Sequence, residues 1–400
     1  MKKYNVVLFI VLSTLFSLLL TATPKREGCT TAIISPAASA QGVPMLWKNR
    51  DTDYLSNKVI YVQAEPYSYL GLINNEETSG RFVYSGLNSE GFGIMNSVAY
   101  NLLNNKTDMQ DLEGLIMAEA LRTCRTVDDF EQFIKKNQGE TMGSLANFGV
   151  IDSEGHAVIF EVSNWTYKKY DTLDTEKKFM VNTNFSRSGK EGKGAGYLRF
   201  EQATALFAEL NGQKITHDYI FQNIARNFGH PLLKHPTLAE LENTPGTPTL
   251  WLYTNDCINR PSTAATVIIN GKIPGAKDSM ATFWVLLGEP VTSIAVPLWV
   301  ESKTSPAPLC EGKDAPIAIE SLRIKKIIRP SHEGNKGNYM AATKLLNQEK
   351  TGFLPLLKTT EQEIFQETSQ FLKTKHSTVE LAEFQTKMAQ KALDTLKKIK

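Results

Sequence analysis

Cys29 follows Gly28 and opens a strand-like run, Cys29-Thr30-Thr31-Ala32-Ile33-Ile34, six residues beyond a stretch that reads as an export leader. Processing that made it the first residue of the mature chain would place a thiol and a free α-amine on one residue. Their ordinary pKa values, about 8.5 and about 7.7–8.0, let the two exchange a proton near neutral pH, so this nucleophile carries its own base and needs no histidine. The chemistry calls for neither a metal nor an organic cofactor. The 6 histidines show no metal-ligand spacing, and His230 and His235 flank a proline loop.

The leader is a basic start, Met1-Lys2-Lys3, followed by an apolar stretch from Val6 to Leu20, too short for a stable membrane span. Small residues at Thr21, Ala22 and Thr23 suit a signal peptidase, giving a signal peptide over 1–23 and a pro-segment over 24–28. A secreted or periplasmic location is expected. The competing reading, a lipoprotein acylated on Cys29, wants small and aliphatic residues before the cysteine, where Arg26 and Glu27 stand.

Composition excludes little else. A formal net charge of +2 gives no footprint for nucleic acid, and 400 residues suffice for a large core. With 4 cysteines the chain is no disulfide scaffold. Cys124 reads as a buried filler within a helical pattern, Cys257 and Cys310 can pair in an oxidising compartment, and Cys29 is left as the odd thiol. Asn105-Lys106-Thr107, Asn164-Trp165-Thr166 and Asn184-Phe185-Ser186 match a glycosylation acceptor. The glycine-rich run Gly189–Gly196 lacks the Gly-Lys-Ser/Thr ending of a phosphate loop and reads as a mobile basic loop.

The elements that must position Cys29 follow from periodicity. Short strand patterns fill Thr30–Ser35, Met45–Asn49, Val59–Gln63 and Tyr69–Ile73, and a hairpin turns at Ser89-Glu90-Gly91. Three- and four-residue apolar steps predict two helices between Gln110 and Asn137, broken near Thr126. Strands return over Asn147–Ile151, His156–Val162, Thr166–Tyr170 and Phe179–Thr183. A helical pair is expected over Tyr197–Leu210 and Thr216–Phe228, then strands over Thr249–Tyr253, Ala264–Ile269, Ala281–Leu287 and Thr292–Leu298. Beyond Pro306 the chain turns polar and then helical, ending in an amphipathic tail over Glu361–Lys400 whose mixed charges suit a packed outer helix pair. Strands and helices in separate blocks predict an α+β arrangement of two packed sheets covered by helices.

In order along the chain, Cys29-Thr30-Thr31, Trp47-Lys48-Asn49-Arg50-Asp51, Gly86-Leu87-Asn88-Ser89-Glu90-Gly91, Asn182-Thr183-Asn184-Phe185 and Leu198-Arg199-Phe200 resemble the cysteine N-terminal-nucleophile amidases. That superfamily holds the choloylglycine hydrolases, penicillin V acylase and the isopenicillin-N acyltransferases. The leader, the Trp47–Thr52 motif and the Thr183-Asn184-Phe185 motif are more similar to the isopenicillin-N-acyltransferase and carcinine-hydrolase branch than to the bile-salt enzymes. The resemblance runs from Cys29 to about Leu298.

It implies a four-layer αββα sandwich, placed here over 29–305; the C-terminal helical extension, 306–400, expected to pack on it, has no counterpart in the resemblance. Cys29 is then the nucleophile, and Asp51 accepts a hydrogen bond from its α-amine. Asn184 donates to the oxyanion, with Asn182 the alternative if the motif is offset by two residues. Asn96 is a second polar contact, and Arg199 braces the network. Where the family has an arginine three residues before the aspartate, this chain has Lys48, with Arg50 beside Asp51; either cation can favour the thiolate. Each residue also has a plainer reading: Asp51 and Arg50 as a strand-end ion pair, Asn184 as a turn residue, Arg199 as a surface cation. The implied activity is hydrolysis of a linear, non-peptide-backbone amide of a small molecule, through a thioester on Cys29. The alternatives are an acyltransferase with an amine acceptor, a choloylglycine-type bile salt hydrolase, and a non-catalytic lipoprotein tethered by Cys29. No nucleic acid and no membrane span are expected for the mature chain, and a homo-oligomer is left open.

Overall fold

The computed structural model describes residues 28–102, 111–276, 278–331 and 333–400. The leader, residues 24–27 of the pro-segment and the Asn105 triplet lie outside them. Two antiparallel sheets face each other. The first has the order β10-β1-β2-β12-β13-β14, built from β1 (Gly28–Ile34), β2 (Met45–Asp51), β10 (Phe179–Asn182), β12 (Thr263–Asn270), β13 (Thr282–Leu287) and β14 (Val296–Leu298). The second is a meander in chain order, β3 (Asn57–Val62), β4 (Tyr69–Asn74), β5 (Ser85–Asn88), β6 (Gly93–Val98), β7 (Leu145–Ile151), β8 (Ala157–Ser163) and β9 (Tyr167–Asp171).

Every residue of β1 and of β2 is buried. This follows from double coverage: β1 and β2 lie against β6, β7 and β8 on one side and under helices on the other. The β5–β6 hairpin turns where expected. Gly91 takes φ +90°, and the Asn88 side chain accepts from the Glu90 and Phe92 amides, both at 3.0 Å, so the turn is closed by its own asparagine.

Helices α1 (Glu113–Thr123) and α2 (Val127–Asn137) cover the outer face of the meander. Their break is at Thr126, which caps α2 in a reciprocal capping box with Asp129. Helix α3 (Tyr197–Ala208) covers β1 and β10 of the first sheet, and α4 (Pro316–Ile328), α5 (Leu354–Phe371) and α6 (Thr378–Lys397) cover β13 and β14. The α+β layers are those expected. The C-terminal helices contribute to the main core, in which Leu357, Ile364, Phe365 and Met388 join Ile33, Trp47 and Val285.

Several sequence expectations need correction. The predicted helix over Thr216–Phe228 is a short turn, His217–Tyr219, that widens into a π-helical segment, Ile220–Ala225. Arg226 at its end donates to the Phe221 carbonyl at 3.0 Å while its guanidinium is committed to Glu361 of α5, so a tertiary ion pair overrides the regular ladder. The Gly189–Gly196 loop is fastened rather than loose, with the Lys190 amide on the Asn101 carbonyl and the Ala195 amide on the Asn184 carbonyl. Cys257 and Cys310 do not pair: none of the four cysteines is in a disulfide, with Cys257 donating to the Phe228 carbonyl and Cys310 to the Pro306 carbonyl. Cys124 is a buried filler, as read. Asn164 and Asn184 are buried, which removes both as glycosylation acceptors. A small sheet of β11 (Trp251–Tyr253) and β15 (Tyr339–Ala341) links the extension to the body, and β15 had no strand signal. No helix of the described residues is long and apolar enough to cross a membrane.

The ring of Phe130 is fully buried and packs edge-on against Phe148 and Phe160, at 5.7 and 5.4 Å between centroids. Phe130→Ala should lower unfolding free energy by about 3–5 kcal/mol in urea denaturation; a loss under about 1 kcal/mol would mean that α2 does not depend on this cluster.

Candidate active site

Register assembles the site. Along the β1–β2 ladder Gly28 faces Asp51 and Cys29 faces Arg50. On the other side of β1, Thr31 pairs with Asn182, so the antiparallel register continued by two residues puts Cys29 level with Asn184. The Cys29 nitrogen, here still the amide of the Gly28–Cys29 bond, donates to Asn184 Oδ1 at 3.0 Å.

Arg199, one turn into α3, reaches the same point. Its Nη2 donates to Asn184 Oδ1 at 2.7 Å, and its Nη1 donates to the Cys29 carbonyl at 2.6 Å and to Thr30 Oγ1 at 2.9 Å. It is 2% exposed, so it is not the surface cation of the plainer reading. Burial holds its guanidinium down to about 10, against the pull of Asp51.

Asp51 lies within the same cluster. Thr263 Oγ1 donates to its Oδ1 at 2.8 Å, while Arg199 Nη1 and Arg260 Nη1 stand 3.6 and 3.7 Å from its Oδ2. That Oδ2 is buried and accepts no hydrogen bond among the described residues. Burial pushes the carboxyl above its ordinary range, with Arg260 and then Arg199 pulling the other way. The partner of Asp51 is thus not Arg50, whose guanidinium instead lies 3.5 Å over the Tyr84 ring and donates to Asn57.

Strand alternation puts Lys48 and Arg50 on the opposite face of β2 from Asp51, toward the second sheet. There they line a cavity of about 160 Å³ that also holds Cys29, Tyr84 and Asn96. Lys48 Nζ donates to Asn96 Oδ1 and to the Tyr84 carbonyl, both at 2.7 Å. Asp51, Asp111 and Glu113 are the acidic residues of this cavity's lining. Burial first, then Asp111, push the Glu113 carboxyl well above its usual range.

Cys29, Asn184, Arg199 and Asp51 therefore form one connected cluster, and Lys48, Arg50 and Asn96 line the cavity that Cys29 and Asp51 also reach. Asn182 goes elsewhere: its Oδ1 accepts from Arg187 Nη1 at 2.8 Å. Asn184 is oriented as an acceptor toward Cys29, with its Nδ2 donating to the Val98 carbonyl at 3.0 Å; donation to an oxyanion requires that amide to leave Val98. Arg260 and Thr263 escaped the sequence reading. Their only local signal is a polar Asn259-Arg260-Pro261 turn ahead of the β12 pattern, and what brings them to Asp51 is the pairing of Thr263 with Asp51 across β12 and β2.

No family model matches the chain, and no curated protein sequence does. Solved structures similar to it include an N-acylethanolamine-hydrolyzing acid amidase ortholog from Caenorhabditis elegans, 14% identical, covering 63% of this chain and 95% of that one, with a TM-score of 0.40. A mutant of conjugated bile acid hydrolase from Clostridium perfringens is 11% identical over 68% of this chain and 92% of its own, with a TM-score of 0.39. Penicillin V acylase from Agrobacterium tumefaciens is 14% identical over 68% and 86%, with a TM-score of 0.34. The roles of the residues around Cys29 rest on the geometry above.

Asn184→Ala removes the acceptor of the Cys29 nitrogen and should lower kcat on an amide substrate by about 10²–10³ with little change in KM. Asn182→Ala should stay within a few-fold of wild type, since its side chain serves Arg187; the reverse pattern would shift the site by two residues.

Proposed function

We propose that the mature chain is an exported amide hydrolase that cleaves a linear, non-peptide-backbone C–N bond through a thioester on Cys29. The observation that carries this reading is the cluster at the Cys29 nitrogen: Asn184 Oδ1 accepts from it at 3.0 Å, Arg199 donates to the same Oδ1, and Asp51, across the ladder from Gly28, keeps a buried Oδ2 that faces Arg199 and Arg260 but accepts no hydrogen bond among the described residues. A backbone amide inside a strand has no need of such a surrounding. An α-amine that must be held beside its own thiol does.

In this reading the amine, freed by loss of Gly28, takes the thiol proton, and the sulfur attacks the substrate carbonyl. The tetrahedral oxyanion is met by hydrogen-bond donors, among them Asn184 once its Nδ2 turns from Val98. The leaving amine departs with the proton held by the Cys29 ammonium, leaving the acyl group on sulfur. Water then gives its proton to the α-amine and attacks the thioester, releasing the acid and restoring the thiol. Lys48 and Arg50 supply positive charge on the thiol side of the cavity. An amine in place of water would make the same site an acyltransferase.

The cavity also bears on the alternatives. At about 160 Å³, with two cationic and three acidic residues in its lining, it is small and polar beside the roughly 300–1,000 Å³ of pockets that enclose drug-sized ligands. This favours a short polar acyl group over a steroid. A diacylglyceryl group on Cys29, which is 6% exposed, would have to displace the strand itself, and this weighs against the tether.

Intact mass of the secreted protein tests the reading directly, with a chain beginning at unmodified Cys29 as the expected result and a lipid adduct as the refutation. A form retaining 24–28 should not turn over amides, because an acylated nitrogen is no base. Equal rates for the retained and trimmed forms would sink the mechanism. Cys29→Ala should abolish turnover in every case, and should leave the pro-segment attached only if the chain cuts itself. Among acyl amides, short polar ones should be hydrolysed at least tenfold faster in kcat/KM than bile-acid conjugates; the opposite ranking would show that the cavity does not set specificity.

A further inference from the structure

The C-terminal region brings two buried ion pairs into the molecule. In one, Glu361 of α5 accepts from Arg226 Nη1 at 2.6 Å and Nη2 at 2.8 Å, tying α5 to the π-helical segment and to the link between β13 and β14. The other lies beside the Cys29 site. Glu289, just after β13, accepts from Arg329 Nη2 at 2.7 Å and stands 3.5 Å from Lys325 Nζ of α4. All three side chains are almost wholly buried.

What this second cluster grips is the turn that carries Arg260. Lys325 Nζ donates to the Pro261 carbonyl, and Glu289 Oε1 accepts from Asn259 Nδ2 at 2.8 Å. The residues on both sides of Arg260 are therefore anchored to groups from α4 and its neighbouring turn. Beyond the approach of Nη1 to Asp51 Oδ2 at 3.7 Å, Arg260 has little of its own to fix it: Nη2 reaches Asn255 Oδ1 at 3.4 Å, and the buried Nε has no hydrogen-bond partner among the described residues. Its guanidinium is placed by its backbone. Thr263, at the start of β12, completes the same turn and gives Asp51 its one hydrogen bond from a side chain among the described residues.

We propose that Lys325 and Glu289 are positioning residues for the Cys29 site, holding the Asn259–Thr263 turn so that Arg260 and Thr263 stay against Asp51. The proposal rests on the amidase reading for its catalytic meaning, and it makes the C-terminal helix α4 part of the active site's support. Groups that orient a reacting centre must be held to about 0.5 Å, and a shift of about 1 Å can cost about 10²-fold in rate, so a loosened turn should be felt in turnover. The Lys325 charge also adds to those of Arg260 and Arg199 in drawing the Asp51 carboxyl down against burial.

The test compares Lys325→Met with Glu361→Gln in the full mature chain, reading thermal stability, kcat and KM on an amide substrate, and the rate at which iodoacetamide alkylates Cys29. Both variants should lose stability. Lys325→Met alone should lower kcat tenfold or more with KM within twofold, and slow or speed Cys29 alkylation by at least threefold; Glu361→Gln should leave both within twofold. Lys325→Met with unchanged kcat and alkylation, or Glu361→Gln with an equal loss, overturns the proposal. If Lys325→Met gives no folded protein, Asn259→Ser, which cuts the tie to Glu289, is judged by the same criteria. Alkylation needs no substrate, so a wild-type chain inert toward every amide would refute the amidase reading while the brace is still decided by the Cys29 thiol.

Discussion

The buried Asp51 carboxyl sets the terms for everything around it. A carboxylate taken out of water in an apolar interior costs several kcal/mol unless cations and donors are brought to it, and removing one such partner is worse than never having had the pair. Here the compensation comes from segments far apart in sequence: Thr263 and Arg260 from the turn before β12, and Arg199 from the first turn of α3. The chain must close both sides of β2 to bring them in. The six-stranded sheet, the helix across β10 and the register between β12 and β2 are what make this carboxyl tolerable.

That dependence explains why the C-terminal helices join the main core rather than decorate it. A turn carrying a guanidinium into a dry site has to be pinned, and the pins available are buried charges on α4 and at the end of β13. Glu289 shows the balance. Burial would push its carboxyl up, yet Arg329, Lys325 and the Asn259 amide hold it below its usual range. The Glu361–Arg226 ion pair ties α5 to the end of the π-helical segment over 220–225. Two local irregularities, the π-helical segment and the polar Asn259–Thr263 turn, are thus each held by a buried ion pair of their own.

Much of this was legible in the sequence because it is written in local signals. The strand pattern opening at Cys29, the period changes near Gln110 and Tyr197, the Ser89-Glu90-Gly91 turn and the mixed-charge C-terminal tail each announce themselves within a window of a few residues. The short motifs named Asn184 and Arg199, which the structure brings to Cys29, but not their orientation: Asn184 accepts from the Cys29 nitrogen and its amide is turned to Val98. What could not be read is pairing across the chain. Arg260 looks like any arginine before a proline until β12 is laid beside β2, and Arg50 looks like the partner of Asp51 until alternation sends the two to opposite faces. Asn182 and Asn184 are equivalent as sequence; the register with β1 separates them, giving one to Cys29 and the other to Arg187.

The same register bears on how processing could act. The network around Cys29 is complete while Gly28 is still attached, and it closes tightly on that glycine. A Cβ on Gly28 would stand 3.3 Å from both Arg260 Nη1 and Asn184 Oδ1, and 3.5 Å from Arg199 Nη2. Contacts at 3.3 Å are tighter than a side chain comfortably makes, so the residue before the nucleophile has room for hydrogen and little more. On the proposed reading, loss of Gly28 exchanges a neutral amide for an amine without any need to rebuild its acceptors: Asn184 is already in hydrogen bond with the nitrogen, and Asp51, across the ladder from Gly28, has a buried oxygen that accepts no hydrogen bond among the described residues. Activation by cleavage would then be a change of charge in a site whose shape was set during folding, and the stability of that shape is carried by residues as distant as Lys325.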